Sequence, residues 1–162
     1  MKLRHTIMVF LVAGLVLHTV YYYPLLPTTL ASHFNRAGEP DAWMGKSAFL
    51  VFEGILICVL LLEFLALPWL VERMPDRLIN LPNKAYWLAP EHRSRAFAIF
   101  RKYFQWFGIA LLTLLFCVSH LVFRANITRT ELDKSIWLFL AAYFVFVVIW
   151  LVKFILVFKR TS

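Results

Sequence analysis

Apolar residues along this 162-residue chain fall into four long blocks separated by polar segments. The blocks run from about 6 to 23, 47 to 71, 103 to 123 and 135 to 158. Each reaches the roughly 17–25 residues that cross bilayer hydrocarbon as a helix. Unpaired backbone groups are too costly in lipid, and the runs are too long for barrel strands, so helices are the expected solution. The pattern predicts an all-α integral membrane four-helix bundle, one domain over residues 1–162, with no linker and no internal repeat.

The polar segments carry their own signals. Pro24 and Pro27 end or kink the first helix, because each lacks a backbone donor and clashes with the preceding turn. A structured loop is expected next, with Gly38 suited to positive φ and Pro40 restricting the backbone before Trp43, which is placed at the lipid–water boundary. After the second block, Pro90 and Glu91 suit a first helical turn. Phe97, Phe100, Phe104 and Phe107 then recur at helical spacing among Arg93, Arg95, Arg101 and Lys102. A helix over 90–123 would be about 51 Å long at 1.5 Å per residue, well over the roughly 30 Å of hydrocarbon. It must protrude or bend along the surface as a basic interfacial helix before the third span, either touching lipid heads or docking another protein.

Composition agrees with the pattern: 62% of residues are hydrophobic and 16% charged, against roughly 45–50% and 25% in soluble domains. Lys2 and Arg4 precede the first block as they would in a secretory signal. The block is nevertheless longer than a signal's apolar core and ends in YYYPLLP without a cleavage pattern, so it reads as a retained anchor. Twelve Lys and Arg lie on the side of the termini and the segment from Glu72 to Lys102, and five on the other, which puts both termini in the cytoplasm. The net charge of +8 is then a topological signal and an attraction to anionic lipid; no basic folded module with aromatic platforms suggests nucleic acid. Cys58 and Cys117 sit within spans and read as small buried apolar side chains, outside any disulfide framework.

The chemistry concentrates in HFNRAGEPDAWMGK, residues 33–46, which this topology places outside. His33 with Glu39 and Asp41 has side chains that bind metals or shuttle protons, although no tight ligand pair is present. Asn35, Gly38 and Pro40 fit backbone organisation equally, Asp41 fits a cap on the second span, and Trp43 and Lys46 complete a candidate recognition motif. Within the spans, His18, Glu53 and His120 all fall roughly 6–9 Å from the outer boundary at 1.5 Å per residue. They form a candidate polar layer, either a shared vestibule or three separately satisfied side chains. Glu63 lies deeper and has Lys153 as candidate partner, unless Lys153 snorkels to the inner surface. The sequon at Asn126–Thr128 marks an external turn. No cofactor is expected.

LPTTLASHFNRAGEPDAWMGK resembles the membrane domain of unknown function that begins the SdpI-like toxin-immunity proteins. The resemblance rests on Pro27, His33, Phe34, Asn35, Gly38, Pro40, Asp41, Trp43 and Lys46, and extends through NLPNKAYWLAPEHR to cover about residues 1–125. It implies a multi-pass, non-enzymatic protein of the bacterial cytoplasmic membrane that protects against, or senses, a peptide toxin at the outer face. SdpI proteins carry further spans in a second membrane domain, where this chain has four. Two other roles stay open: an accessory subunit of a larger membrane enzyme or transporter complex, and a proton- or metal-linked transporter.

Overall fold

The computed structural model describes residues 2–160. In chain order it comprises α1 (Lys2–Tyr22), β1 (Thr29–Phe34), β2 (Pro40–Gly45), α2 (Lys46–Arg73), the single-turn α3 (Lys84–Trp87), α4 (Pro90–Thr128) and α5 (Ser135–Lys159). The four long helices are each long and apolar enough to cross a membrane, and each contains one of the four apolar blocks to within a residue. The chain is thus a mostly helical protein with the features of a multi-pass membrane protein.

One expectation about fold class is corrected: the fold is not exclusively helical, because the polar segment after α1 forms an antiparallel β-hairpin, β1–β2. Among the long helices, α1, α2 and α5 each pack chiefly against α4, which acts as the central post. The α1–α2–α4 core contains Met8, Leu15, Leu60, Phe64, Ile109 and Leu112. It closes tightly where Gly108 of α4 meets Phe64, since a Cβ at 108 would lie 2.6 Å from the ring. Small residues let helices approach in this way when lipid offers no hydrophobic drive. On its other side α4 meets α5 through aromatic rings, including Phe107 against Trp150 at 4.9 Å and Tyr103 against Phe154 at 5.5 Å.

α4 is one unbroken helix of 39 residues, about 58 Å long at 1.5 Å per residue. The basic stretch after Pro90 forms its first turns, continuous with the third apolar block as the sequence predicts. That stretch is held in a small folded cap. Arg93 reaches Asp76 and donates to the Glu72 carbonyl, while Arg101 reaches the Glu72 carboxylate. Trp87 is buried and donates Nε1–H to the Phe158 carbonyl at 2.8 Å, and Asn83 donates to the Lys159 carbonyl at 2.7 Å. These bonds satisfy carbonyls that the C-terminus of α5 leaves without intrahelical partners. At the same end Gln105 takes Arg4 and His5 of α1 at 2.8 and 3.1 Å. The start of α1 and the end of α5 thus meet the same part of α4.

Cys58 is exposed on α2 and Cys117 half-buried, both as free thiols; the expected burial fails for Cys58, which lies on the outward face of a helix that packs on one side only. Asn126 belongs to α4 rather than to an external turn.

Candidate functional site

The hairpin forms because NRAG allows a tight reversal. Asn35 Oδ1 accepts from the amides of Ala37 and Glu39 at 2.9 and 3.0 Å, and its Nδ2 donates to Glu39 at 2.8 Å. Such side-chain mimicry of a turn is characteristic of Asn. Gly38 takes φ +94°, a conformation that costs glycine little. Thr29 pairs with Gly45 and Phe34 with Pro40, with a local irregularity between Ala31 and Phe34. Around it His33 Nδ1 donates to Asp41 Oδ1 across the strands at 2.5 Å, both side chains being largely open to solvent.

Two contacts fasten the hairpin to the helices. Asn126 of α4 is buried, accepting from the Ala31 amide at 2.6 Å and donating to the Ala31 carbonyl at 3.1 Å. It acts as a one-residue neighbouring strand. At the tip, the Leu132 amide donates to the Gly38 carbonyl at 2.8 Å, so the hairpin reaches the α4–α5 turn. Lys46 secures the base, donating to the Leu26 carbonyl at 3.0 Å with its ammonium 4.2 Å from the Tyr23 ring centre.

A groove of about 540 Å³ lies between the hairpin and the end of α4, lined among others by Pro27, Phe34, Trp43, Asn126, Arg129 and Glu131. This volume lies within the usual range for ligand sites. Its walls combine apolar rings with one charge of each sign. Trp43 is 59% exposed at its rim.

Beneath the hairpin the expected polar layer resolves into two hydrogen-bonded units on consecutive residues. His18 and His120 meet directly, Nε2 to Nδ1 at 3.1 Å. Glu53, 5% exposed, accepts from Ser119 at 2.6 Å and from Thr19 at 3.3 Å. Satisfaction by hydroxyls from both neighbouring helices is what a buried carboxyl group in a span requires. The His18 ring is boxed by Tyr22, Phe116 and Phe123 at 4.6 to 5.3 Å, and its Nδ1 is buried with no hydrogen-bond partner among the described residues. No three His, Cys, Asp or Glu side chains come together there as metal ligands among the described residues. The layer is a hydrogen-bonding seam joining α1, α2 and α4.

The expected Glu63–Lys153 pair does not form: both side chains are exposed, on α2 and α5, and no ion pair joins them. Ten residues separate Glu63 from Glu53, and the resulting rotation of roughly 80° is enough to carry it out of the seam. Sequence reasoning missed Asn126, Thr19, Ser119 and Leu132. Thr19 and Ser119 sit next to the two histidines it singled out, and that adjacency was the available signal.

Residues 9–57 match the family described as "Domain of unknown function (DUF1648)". The match takes in most of α1, the whole hairpin and the first part of α2, under a third of the chain. No curated protein and no solved structure matches the chain.

Proposed function

We propose that this is a non-enzymatic receptor of SdpI-like type, acting in immunity to a peptide toxin or in envelope sensing, with the hairpin groove as its recognition site at the outer face of the bacterial cytoplasmic membrane. The observation that carries this reading is the double fastening of the hairpin by Asn126 and by Leu132. A loop that merely joined two spans would need no such anchorage; a preorganised surface binds with less loss of conformational freedom. The groove adds apolar walls and opposite charges at Arg129 and Glu131, which suit a short amphipathic peptide. The exposed Trp43 supplies an adaptable contact at the rim, and the His33–Asp41 pair ties together the two strands that carry it.

The test is survival of a toxin-sensitive strain that produces the protein. Survival should rise with the wild type and fall back with Trp43→Ala or His33→Ala at unchanged protein level. Survival that never rises against any secreted peptide toxin, or that is indifferent to both substitutions, overturns the reading.

A second reading is favoured by one observation: among the long helices α5 packs chiefly against α4, leaving Trp137, Leu138 and Phe144 more than half exposed. An accessory subunit would use that face against a larger membrane complex. Mass measurement after gentle extraction separates the two, since a stoichiometric second protein is expected only for the subunit.

A further inference from the structure

At the end of the molecule away from the hairpin, α4 and α5 enclose a groove of about 370 Å³ that contains Lys102 and Lys153 together with Trp106, Phe146, Ile149 and Trp150. Neither lysine takes part in an ion pair among the described residues. The walls are fixed by bonds between the helices: Trp150 donates Nε1–H to the Tyr103 carbonyl at 2.9 Å, and the Tyr103 hydroxyl donates to the Lys153 carbonyl at 3.4 Å. Each of these bonds ends on a residue beside or at one of the lysines. Both lysines thus line an aromatic seam whose two helices are bonded to each other.

The groove continues. A second cavity follows the same seam toward the hairpin end, lined by Ala110, Leu114, Cys117, Ala142 and Tyr143, and shares Phe146 with the first. From Lys153 to Phe139, the far limit of that lining, is about 21 Å at 1.5 Å per residue. One leaflet contributes roughly half of the 30 Å hydrocarbon thickness. The seam therefore offers two cations at one end and an apolar channel longer than a leaflet beyond them.

We propose that this seam is a binding site for one anionic phospholipid, its phosphate held between Lys102 and Lys153 and an acyl chain lying along Phe146, Ala142 and Leu114. Lysine binds phosphate as a point charge, and basic pockets between membrane helices suit anionic headgroups. Independent snorkelling would satisfy either lysine alone. It does not account for both converging on one groove that continues into an apolar channel.

The experiment uses the full chain in phosphatidylcholine vesicles with and without phosphatidylglycerol, followed by detergent extraction and mass measurement of retained lipid. The wild type should retain one phosphatidylglycerol. At roughly fivefold per charge, Lys102→Gln/Lys153→Gln should weaken retention by about 25-fold, while Lys159→Gln/Arg160→Gln leaves it unchanged. Ala142→Phe, which narrows the channel without touching a charge, should weaken it too. Glycerol phosphate, which lacks acyl chains, should fail to compete; competition would show a simple phosphate site. Equal loss in the two charge variants would show general surface attraction, and retention unaffected by Lys102→Gln/Lys153→Gln would place the lipid elsewhere; any of these three results overturns the proposal.

Discussion

Asn126 hydrogen-bonds both backbone polar groups of Ala31, joining the last turns of α4 to the first strand of the hairpin. Its amide nitrogen also donates to the Val122 carbonyl at 2.9 Å, so the side chain is fully engaged within a buried site. Asn126→Ala would leave the Ala31 amide and carbonyl without their partner. At about 1–3 kcal/mol for each of the two buried groups left unpaired, the expected loss is about 2–6 kcal/mol. Unfolding in mild detergent checks the magnitude, and amide exchange at Ala31 checks the location. Unchanged exchange there would show that the hairpin holds by other means.

The tip offers an independent check on the same docking. A Cβ at Gly38 would lie 2.9 Å from the Leu132 carbonyl oxygen, and φ there is +94°. Gly38→Ala should lift the tip from the α4–α5 turn at a cost of roughly 1–3 kcal/mol. A reporter is available nearby, because the Glu131 side chain lies 3.7 Å from that Cβ position. A cysteine pair at Ala37 and Glu131, joined by a short bifunctional thiol reagent, should crosslink in the native background and several-fold more slowly with Gly38→Ala.

The polar layer is expected to show coupling within its units and little between them. Ser119 and Glu53 share a hydrogen bond, and His18 meets His120, whereas no bond joins the two units. Double-mutant cycles with Ser119→Ala and Glu53→Gln, and with His18→Ala and His120→Ala, should each give about 0.6 kcal/mol and at most about 1.7 kcal/mol, the mean and upper value for hydrogen bonds between membrane helices. A cycle with His18→Ala and Glu53→Gln should be additive to within about 0.5 kcal/mol. Strong coupling in that last cycle would indicate one shared vestibule in place of two separate seams.

The sequence made the spans legible because twenty consecutive apolar residues allow few other solutions in water or lipid. It also placed His18, Glu53 and His120 at one depth, since helical rise alone fixes depth. Lateral position depends on packing, which depth does not reveal: rotation turns Glu53 inward and Glu63 outward on one helix. The hairpin was harder to see. TLASHF and PDAWMG alternate only weakly, and the irregularity between Ala31 and Phe34 breaks the period on which strand recognition depends. The clue that remained was NRAG, four turn residues between two short β-compatible runs. Asn126 looked like part of an exposed sequon because its partner, Ala31, is 95 residues away.

The turn before α5 should respond to pH. Asp133 Oδ1 accepts from the Ser135 amide at 2.8 Å. This bond, with a further one from the Ser135 side chain, holds the Asp133 carboxyl below the usual carboxylate range. A carboxylate whose folded-state pKa is depressed adds stability above its unfolded value and loses it as pH falls through the folded one. Exchange of the Ser135 amide should therefore be slowed throughout the neutral range, and should lose that protection at acidic pH, below the ordinary Asp value. Asp133→Ala should remove the protection at every pH. A slowed amide in that variant would assign the protection to the helix itself.

The tight crossing of α2 and α4 leaves no room for a single added methyl at Gly108. A methyl group at position 108 would stand 2.6 to 3.0 Å from three atoms of Phe64, two of them in the ring, and Phe64 is only 1% exposed. The ring cannot swing away freely, since it packs against Phe107 at 5.9 Å. Overpacking of this kind costs roughly 1–3 kcal/mol, more than the roughly 1 kcal/mol that alanine gains over glycine within a helix. Gly108→Ala should therefore destabilise the protein, although helix propensity alone predicts the reverse. Phe64→Leu should destabilise it singly by opening a cavity. In the double variant the methyl would occupy part of that cavity, so the combined loss should fall short of the sum by about 1 kcal/mol or more. Additive losses would mean that the helices separate at this crossing instead of repacking around it.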